Sequence, residues 1–248
     1  PRSSGRTSCW PDCRKKFTVR VGTIFERSHI PLHKWLLGFR LMASSKKGIS
    51  AHQLHRTLGI TYKSAWFMAH RIREAMKESF PGPLGGEGKV VEADETFLGP
   101  ADWVYSNDKG WQQKRGTKSK MKVLTLVERG GRARSVKVET LKADELGQYM
   151  AKNIKPETRV MTDEAQHYNK PGKQFASHEA VNHGNKEYAR GDVTTNTVEG
   201  YFSIFKRGMI GVYQHCGEQH LQRYLTEFDF RYSNRKVDDA TRATLALH

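Results

Sequence analysis

The chain has 248 residues, of which 37% are hydrophobic and 27% charged, and it carries a formal net charge of +16. It reads as soluble and globular, with enough chain to bury the core of one large domain or two modest ones. No apolar run approaches the ~18 residues of a membrane span, and no signal peptide is visible at the start. The basic excess points to a polyanionic partner, DNA or RNA first, against the plain alternative of a basic protein that merely stays soluble. The charge is uneven: residues 1–47 carry eleven Lys or Arg against Asp12 and Glu26, and 109–122 carry six and no acid. Three cysteines, Cys9, Cys13 and Cys216, are too few for a disulfide scaffold and fit a reducing cytoplasm. The first residue is Pro1 rather than Met, which reads as a missing authentic N-terminus.

In chain order, 9–25 is basic, holds Cys9 and Cys13, and ends in a strand-like TVRVGTIF. The cysteine pair followed by His29 and His33 has zinc-finger spacing, but Pro31 disfavours a helix presenting both histidines. The stretch 32–78 is predicted mostly helical, and 49–74 has the pattern of a helix-turn-helix. Ser50 caps AHQLHRTL, Gly59 ends it, and Thr61 caps YKSAWFMAHRIREAM. Leu54, Leu58, Ile60, Trp66, Met68 and Ile72 are expected between the helices, with Lys63, Ser64, His70, Arg71 and Arg73 available to a DNA groove. An ordinary helical hairpin is the competing reading. PGPLGGEG (81–88) is a linker by its Pro and Gly content.

Beyond it, KVVEADETF (89–97) is a strand leading to Asp94, and MKVLTLVER with RARSVKVET forms a hairpin about Gly130 and Gly131. Residues 143–153 form an amphipathic helix, TRVMTD (158–163) a short strand ending in Asp163, and 196–209 a helix. Three strands, a helix, a strand and a late helix is the order of a ribonuclease-H-like α/β fold. The predicted organisation is a partial zinc ribbon over 1–30, a helix-turn-helix domain over 31–80 and a catalytic domain over 89–236.

Asp94 and Asp163 fall at or near the C-terminal ends of strands, where α/β sheets gather ligands. Two carboxylates there suit Mg²⁺, and two-ion phosphodiester chemistry needs at least one more. Glu199 is the candidate. On a helix, Asn196, Glu199, Ser203 and Lys206 share a polar stripe beside the apolar Val198, Phe202, Phe205 and Met209. Plainer readings stand beside these: Glu199 as a capping-box residue begun by Asn196, Asp94 as a turn cap, and Glu164 in place of Asp163.

VEADETFLG, VMTDEAQHY and NTVEGYFSIFKRG, continued by LQRYLTEFDFRYSNR, resemble the ISXO-like bacterial insertion-sequence DDE transposases with an N-terminal zinc ribbon. The resemblance covers about 9–236. It implies a ribonuclease-H-like fold and an acidic triad for Mg²⁺ or Mn²⁺ at Asp94, Asp163 and Glu199. It also implies a phosphate-binding Lys206 followed by Arg207, with Asn196 as a secondary ligand. The activity implied is cleavage at transposon ends followed by strand transfer, carried out by a homodimer or larger assembly on DNA. A structure-selective nuclease and a non-catalytic DNA-binding protein are the alternatives. Lys114, Arg115, Lys118 and Lys120 are expected to touch DNA, as are Lys63 and Arg71. Two departures stand out. Thr195 replaces a His that often precedes the Asn, so any part of that His in positioning DNA is lost or moves to His183. Only Cys9 and Cys13 remain of two zinc-binding cysteine pairs, which leaves Zn²⁺ binding open.

Overall fold

The computed structural model describes residues 8–9, 16–77, 82–99, 103–108, 110–113, 120–182 and 189–247. These divide into two compact units. One gathers the described residues of Pro1–Ser45 and Ile49–Met76 with those of Asp239–His248; the other consists of Lys46–Gly48 and the described residues of Lys77–Asp238.

The first unit opens with a minimal ladder of β1 (Ser8–Cys9) and β2 (Lys16–Phe17). The segment that follows, strand-like in sequence, is instead a run of turns closed by Val21 N–H to Thr18 and Thr23 N–H to Arg20 carbonyl bonds. Val19 and Val21 alternate with polar residues but stand exposed, because no strand among the described residues buries a face of this segment. Three helices follow: α1 (Leu32–Ser44), α2 (Ala51–Leu58) and α3 (Tyr62–Ala75). The Ser50 and Thr61 hydroxyls accept from the amides of Gln53 and Ser64, each at 3.2 Å, and Gly59 turns at φ 58° between α2 and α3. Leu54, Leu58, Met68 and Ile72 are buried as expected. Gly38 lets α1 approach closely, since a Cβ there would meet the Met68 sulfur at 2.7 Å. The final helix, α8 (Asp239–Leu245), packs on α1, with Arg242 donating to the Ala43 carbonyl at 3.2 Å.

The second unit is a mixed sheet with helices on both faces. Its strands are β3 (Val90–Leu98), β6 (Met121–Glu128), β7 (Ala133–Val138), β8 (Arg159–Asp163) and β9 (Ser177–Val181), in the order β7-β6-β3-β8-β9. The first three pair antiparallel, whereas β8 runs parallel to β3 and β9 to β8. A separate hairpin of β4 (Trp103–Ser106) and β5 (Gly110–Gln113) lies between β3 and β6 in sequence and was not anticipated. Alternation along the strands divides the core in two. Val91, Ala93, Leu124, Leu126 and Val160 join Leu146, Met150 and Ile154 of α4 (Ala143–Asn153) and its C-terminal end. A one-turn helix, α5 (Asn169–Gly172), sits between β8 and β9. Val123 and Val127 on the other face join Val198, Tyr201, Phe202 and Phe205 of α6 (Asn196–Gly208) and Leu225 and Phe228 of α7 (Leu221–Ser233). Lys46–Gly48 belongs here because Gly48, at φ 102°, lies against Tyr213.

Candidate active site

The site begins where two parallel strands part. The ladder between β3 and β8 runs from Val90–Arg159 to Glu92–Met161 and stops. Two residues beyond the last rung stand Asp94 on β3 and Asp163 on β8. Each therefore faces the same way as the paired residue before it. A crevice between parallel strands at their C-terminal ends is where α/β sheets hold ligands. Local amides fix both side chains: Asp94 accepts from Glu95 N–H at 2.7 Å and Asp163 from Ala165 N–H at 3.1 Å. Carboxylate oxygens of Asp94, Glu95 and Asp163 come within 4.8 Å of one another.

That crowding appears in the electrostatics. Burial, then the neighbouring Glu95 and Asp163 carboxylates, push Asp94 from 3.8 up to about 8. Burial pushes Glu95 up as well, but hydrogen bonds from His167 and Tyr168 outweigh it and hold the carboxyl below its usual range. The Tyr168 hydroxyl donates to Glu95 Oε2 at 2.6 Å, and His167 Nε2 lies 3.3 Å from the same oxygen. The Glu95 contact, against some burial, in turn raises His167.

The third predicted acid comes from α6. Its apolar stripe, Val198, Phe202, Phe205 and Met209, is buried, whereas Asn196, Glu199, Ser203 and Lys206 are exposed. An open cleft of about 580 Å³ is lined by Asp94, Glu95, Thr96, Asp163, Glu199, Phe202, Ser203 and Lys206. The structure thus brings the three expected acids and the expected lysine around one space. Glu199 stands outside the 4.8 Å cluster and accepts from the Thr195 hydroxyl at 3.0 Å. The capping-box reading of Glu199 fails on one point: the N-cap is Thr195 rather than Asn196, and it makes no side-chain cap bond to a backbone amide.

Other expected residues lie elsewhere. Asn196 is exposed at the start of α6, its N–H bonded to Thr194 Oγ1, and does not line the cleft. Arg207 folds back on its own helix, donating to the carbonyl and hydroxyl of Ser203 at 2.9 and 2.8 Å. Lys120 lies beside Gly99, outside the cleft lining. Lys114, Arg115, Lys118 and His183 fall outside the described residues, as does Cys13; Cys9 is a β1 residue. On α3, Lys63 is exposed, but His70 and Arg73 are buried and not available to a groove. Arg71 is engaged, donating to the Glu26 carbonyl at 2.9 Å and lying over the Phe67 ring. Trp66, expected inside, is 38% exposed and tilts against His70, because Met68 and Ile72 already fill the helical seam.

Glu95 and its partners His167 and Tyr168 were not anticipated in the site. Glu95 is one residue from Asp94 on a strand, so alternation assigns it to the opposite face. It joins the cluster all the same, bonded to His167 and Tyr168. The QHY of VMTDEAQHY carried the only sequence trace of those partners.

A family model for the ISXO2-like transposase domain matches residues 83–233, a span that contains every residue lining the cleft. A Halobacterium salinarum protein, described as an uncharacterized protein in transposable element ISH50, is 27% identical over 230 residues, covering 89% of this chain and 76% of its own length. A solved structure, the Mos1 Strand Transfer Complex, aligns over 89% of this chain and 76% of that one. Its 12% identity and TM-score of 0.32 are too slight a likeness to bear on the site.

Proposed function

The chain belongs to the ISXO2-like transposase family, and from that premise we propose that it is a DDE-type enzyme that cleaves and joins DNA with divalent metal. The observation that carries this reading is the cleft in which Asp94, within β3 just past its last rung with β8, and Asp163, at the end of β8, are gathered with Glu199 and Lys206 of α6. In this reading the sheet is ribonuclease-H-like, its five strands ordered with the hairpin partners on one side of β3 and the parallel strands on the other.

The donor set fits a hard cation. The cluster offers only carboxylate oxygens, and the burial and mutual repulsion that disfavour ionised Asp94 are what a cation would offset. Asp94 and Asp163 would hold Mg²⁺ or Mn²⁺ from the sheet and Glu199 from the helix. When bound, the ions supply charge stabilisation for the attacking and leaving oxygens of a phosphodiester.

The protein's own contribution is placement. Asp94 and Asp163 are fixed by their backbone amides and need little reordering to receive a ligand. Lys206 lies seven residues after Glu199, two helical turns and about 10 Å along the same face. From there its ammonium takes a phosphate oxygen of the DNA strand entering the cleft. Phe202 adds an apolar wall to the cleft. Water attacks the phosphodiester at the element's end and the bond to the 3′ oxygen breaks; that 3′-hydroxyl then attacks a phosphodiester of target DNA in the same cleft, joining to its 5′ phosphate as the target strand's 3′-hydroxyl leaves. No covalent protein–DNA link forms. In the other unit, α2 and α3 form a helix-turn-helix that reads the element's ends through Lys63 and the neighbouring exposed face. Two such ends imply a homodimer or larger assembly.

The test is cleavage and strand transfer of labelled end-containing DNA in Mg²⁺. Asp94→Asn, Asp163→Asn and Glu199→Gln should each abolish both products while far-UV circular dichroism and DNA binding stay as in the wild type. Cleavage by any of the three at wild-type rate refutes that residue's assignment. Cleavage without joining by the wild type reduces the enzyme to a nuclease.

A further inference from the structure

A buried carboxylate lies two residues before Asp94. Glu92 is fully buried, and donors surround it. Arg129 Nε donates to Oε1 at 2.6 Å, and the Thr197 hydroxyl to the same oxygen at 2.8 Å. The backbone amides of Thr197 and Val198 donate to Oε2 at 2.8 and 3.0 Å. These amides belong to the first turn of α6, where N–H groups have no partner within the helix and the dipole favours negative charge. Thr195, at the N-cap, makes no cap bond, and its hydroxyl goes to Glu199 instead. The helix is therefore capped from the sheet rather than by its own sequence.

Arg129 extends the brace. Its other nitrogens donate to the carbonyls of Asp192 at 2.8 Å and Thr194 at 2.9 Å, and its N–H bonds to the Val90 carbonyl at 3.0 Å. One ion pair, fully buried at Glu92 and partly exposed at Arg129, thus joins β3, the end of β6, the segment entering α6 and the first turn of α6. A buried pair is a poor source of stability, because desolvation offsets most of the attraction. What this pair fixes is geometry. Glu92 and Asp94 lie on the same face of β3, about 7 Å apart along the strand. Glu199 follows Val198 directly. A helix pinned at Thr197 and Val198 to Glu92 has its Glu199 in a set position relative to Asp94.

We propose that Glu92, held by Arg129, is the positioning residue that sets Glu199 opposite Asp94 and Asp163. This rests on the reading of Glu199 as the third metal-holding acid. Glu92 itself touches neither metal nor DNA.

The experiment is Mn²⁺ titration of the full chain by calorimetry, with the Mg²⁺ dependence of end cleavage measured beside it. Loss of a partner that orients a metal-holding residue weakens metal binding by about 10–100-fold. Glu92→Gln should therefore weaken Mn²⁺ binding by that factor and raise the Mg²⁺ needed for half-maximal cleavage, with the rate at saturating Mg²⁺ largely restored. In the Glu199→Gln background, Glu92→Gln should cost nothing further, since the effect passes through Glu199. Thr197→Val removes only the hydroxyl donor and should weaken binding in the same direction by less; it decides the matter if Glu92→Gln does not fold. Wild-type Mn²⁺ affinity in Glu92→Gln, or in Thr197→Val where that variant decides, overturns the proposal, as do losses that add to those of Glu199→Gln. Unchanged Mn²⁺ binding in Glu199→Gln overturns the assignment of Glu199 itself, and the brace with it.

Discussion

Asp229 on α7 offers a perturbation whose sign is fixed by the structure. Its Oδ1 accepts from the hydroxyls of Tyr201 at 2.6 Å and Ser135 at 2.7 Å, and its Oδ2 from Ser135 N–H at 2.7 Å. The carboxylate thus joins α7, α6 and β7. Burial outweighs these bonds and pushes its pKa from 3.8 up to about 6. The fold then holds the proton to higher pH than the unfolded chain does. The stability this group contributes is fully present below pH 3.8 and is lost as pH rises through about 6. At about 1.4 kcal/mol per pKa unit, the loss is no more than about 3 kcal/mol. Asp229 is partly exposed as a residue, and solvent screening brings the expected loss to about 1–2 kcal/mol. Asp229→Asn cannot ionise. Turned about χ2, its amide oxygen accepts from Ser135 N–H while its NH₂ faces the two hydroxyls, whose protons can rotate. Urea unfolding of both proteins should be followed between about pH 4 and pH 6.5. The stability of Asp229→Asn relative to wild type should rise across that window by about 1–2 kcal/mol. Taking the difference removes the other carboxylates, which titrate in both proteins. A flat difference would refute a raised Asp229, and a falling one would mean that the three hydrogen bonds win over burial.

Two further outcomes concern DNA. Lys206→Ala should lower affinity for end-containing DNA and reduce the slope of log affinity against log salt by about 0.9, the value for one lost phosphate contact; an unchanged slope places Lys206 away from the backbone. On α3, Lys63→Ala should weaken binding to terminal-repeat DNA more than to random DNA in a competition titration. Arg71→Ala should instead lower the thermal stability of the helical unit by about 1 kcal/mol, because its guanidinium ties α3 to the Glu26 carbonyl. A wild-type melting temperature for Arg71→Ala with a selective loss of terminal-repeat binding would return that residue to the DNA-facing side.

Sequence pattern carried the elements whose burial is periodic. The strand to Asp94, the β6–β7 hairpin, the 143–153 helix and the two-sided α6 were legible because each buries one face against a layer that its own spacing implies. The same rule misled where no layer was supplied. Val19 and Val21 alternate like a strand and lie exposed in turns, and Trp66 sits at a seam position already filled by Met68 and Ile72. The β4–β5 hairpin and the packing of α8 on α1 left no such trace. The latter brings together segments about 200 residues apart through contacts such as Arg242 with the Ala43 carbonyl.

The candidate site divides along the same line. Asp94, Asp163 and Glu199 could be picked out because each ends or edges a periodic element. Glu92 and Glu95 could not, because their roles depend on partners that the local pattern does not name. Glu92 reads as a polar residue on a strand, and only the fold shows that it meets amides 105 and 106 residues away. Glu95 reads as facing the other side of the sheet, yet Tyr168 and His167 hold it beside Asp94 because the β3–β8 ladder has already ended at Glu92. The end of the β3–β8 ladder, which leaves Asp94 open to the cleft, also lets its neighbour approach and brings another negative charge there. That charge makes the site less favourable for the bare acids and more favourable for a cation. A metal site built this way needs its third acid held by something other than attraction within the cluster. The Glu92–Arg129 pair at the foot of α6, buried on its carboxylate side, answers that need.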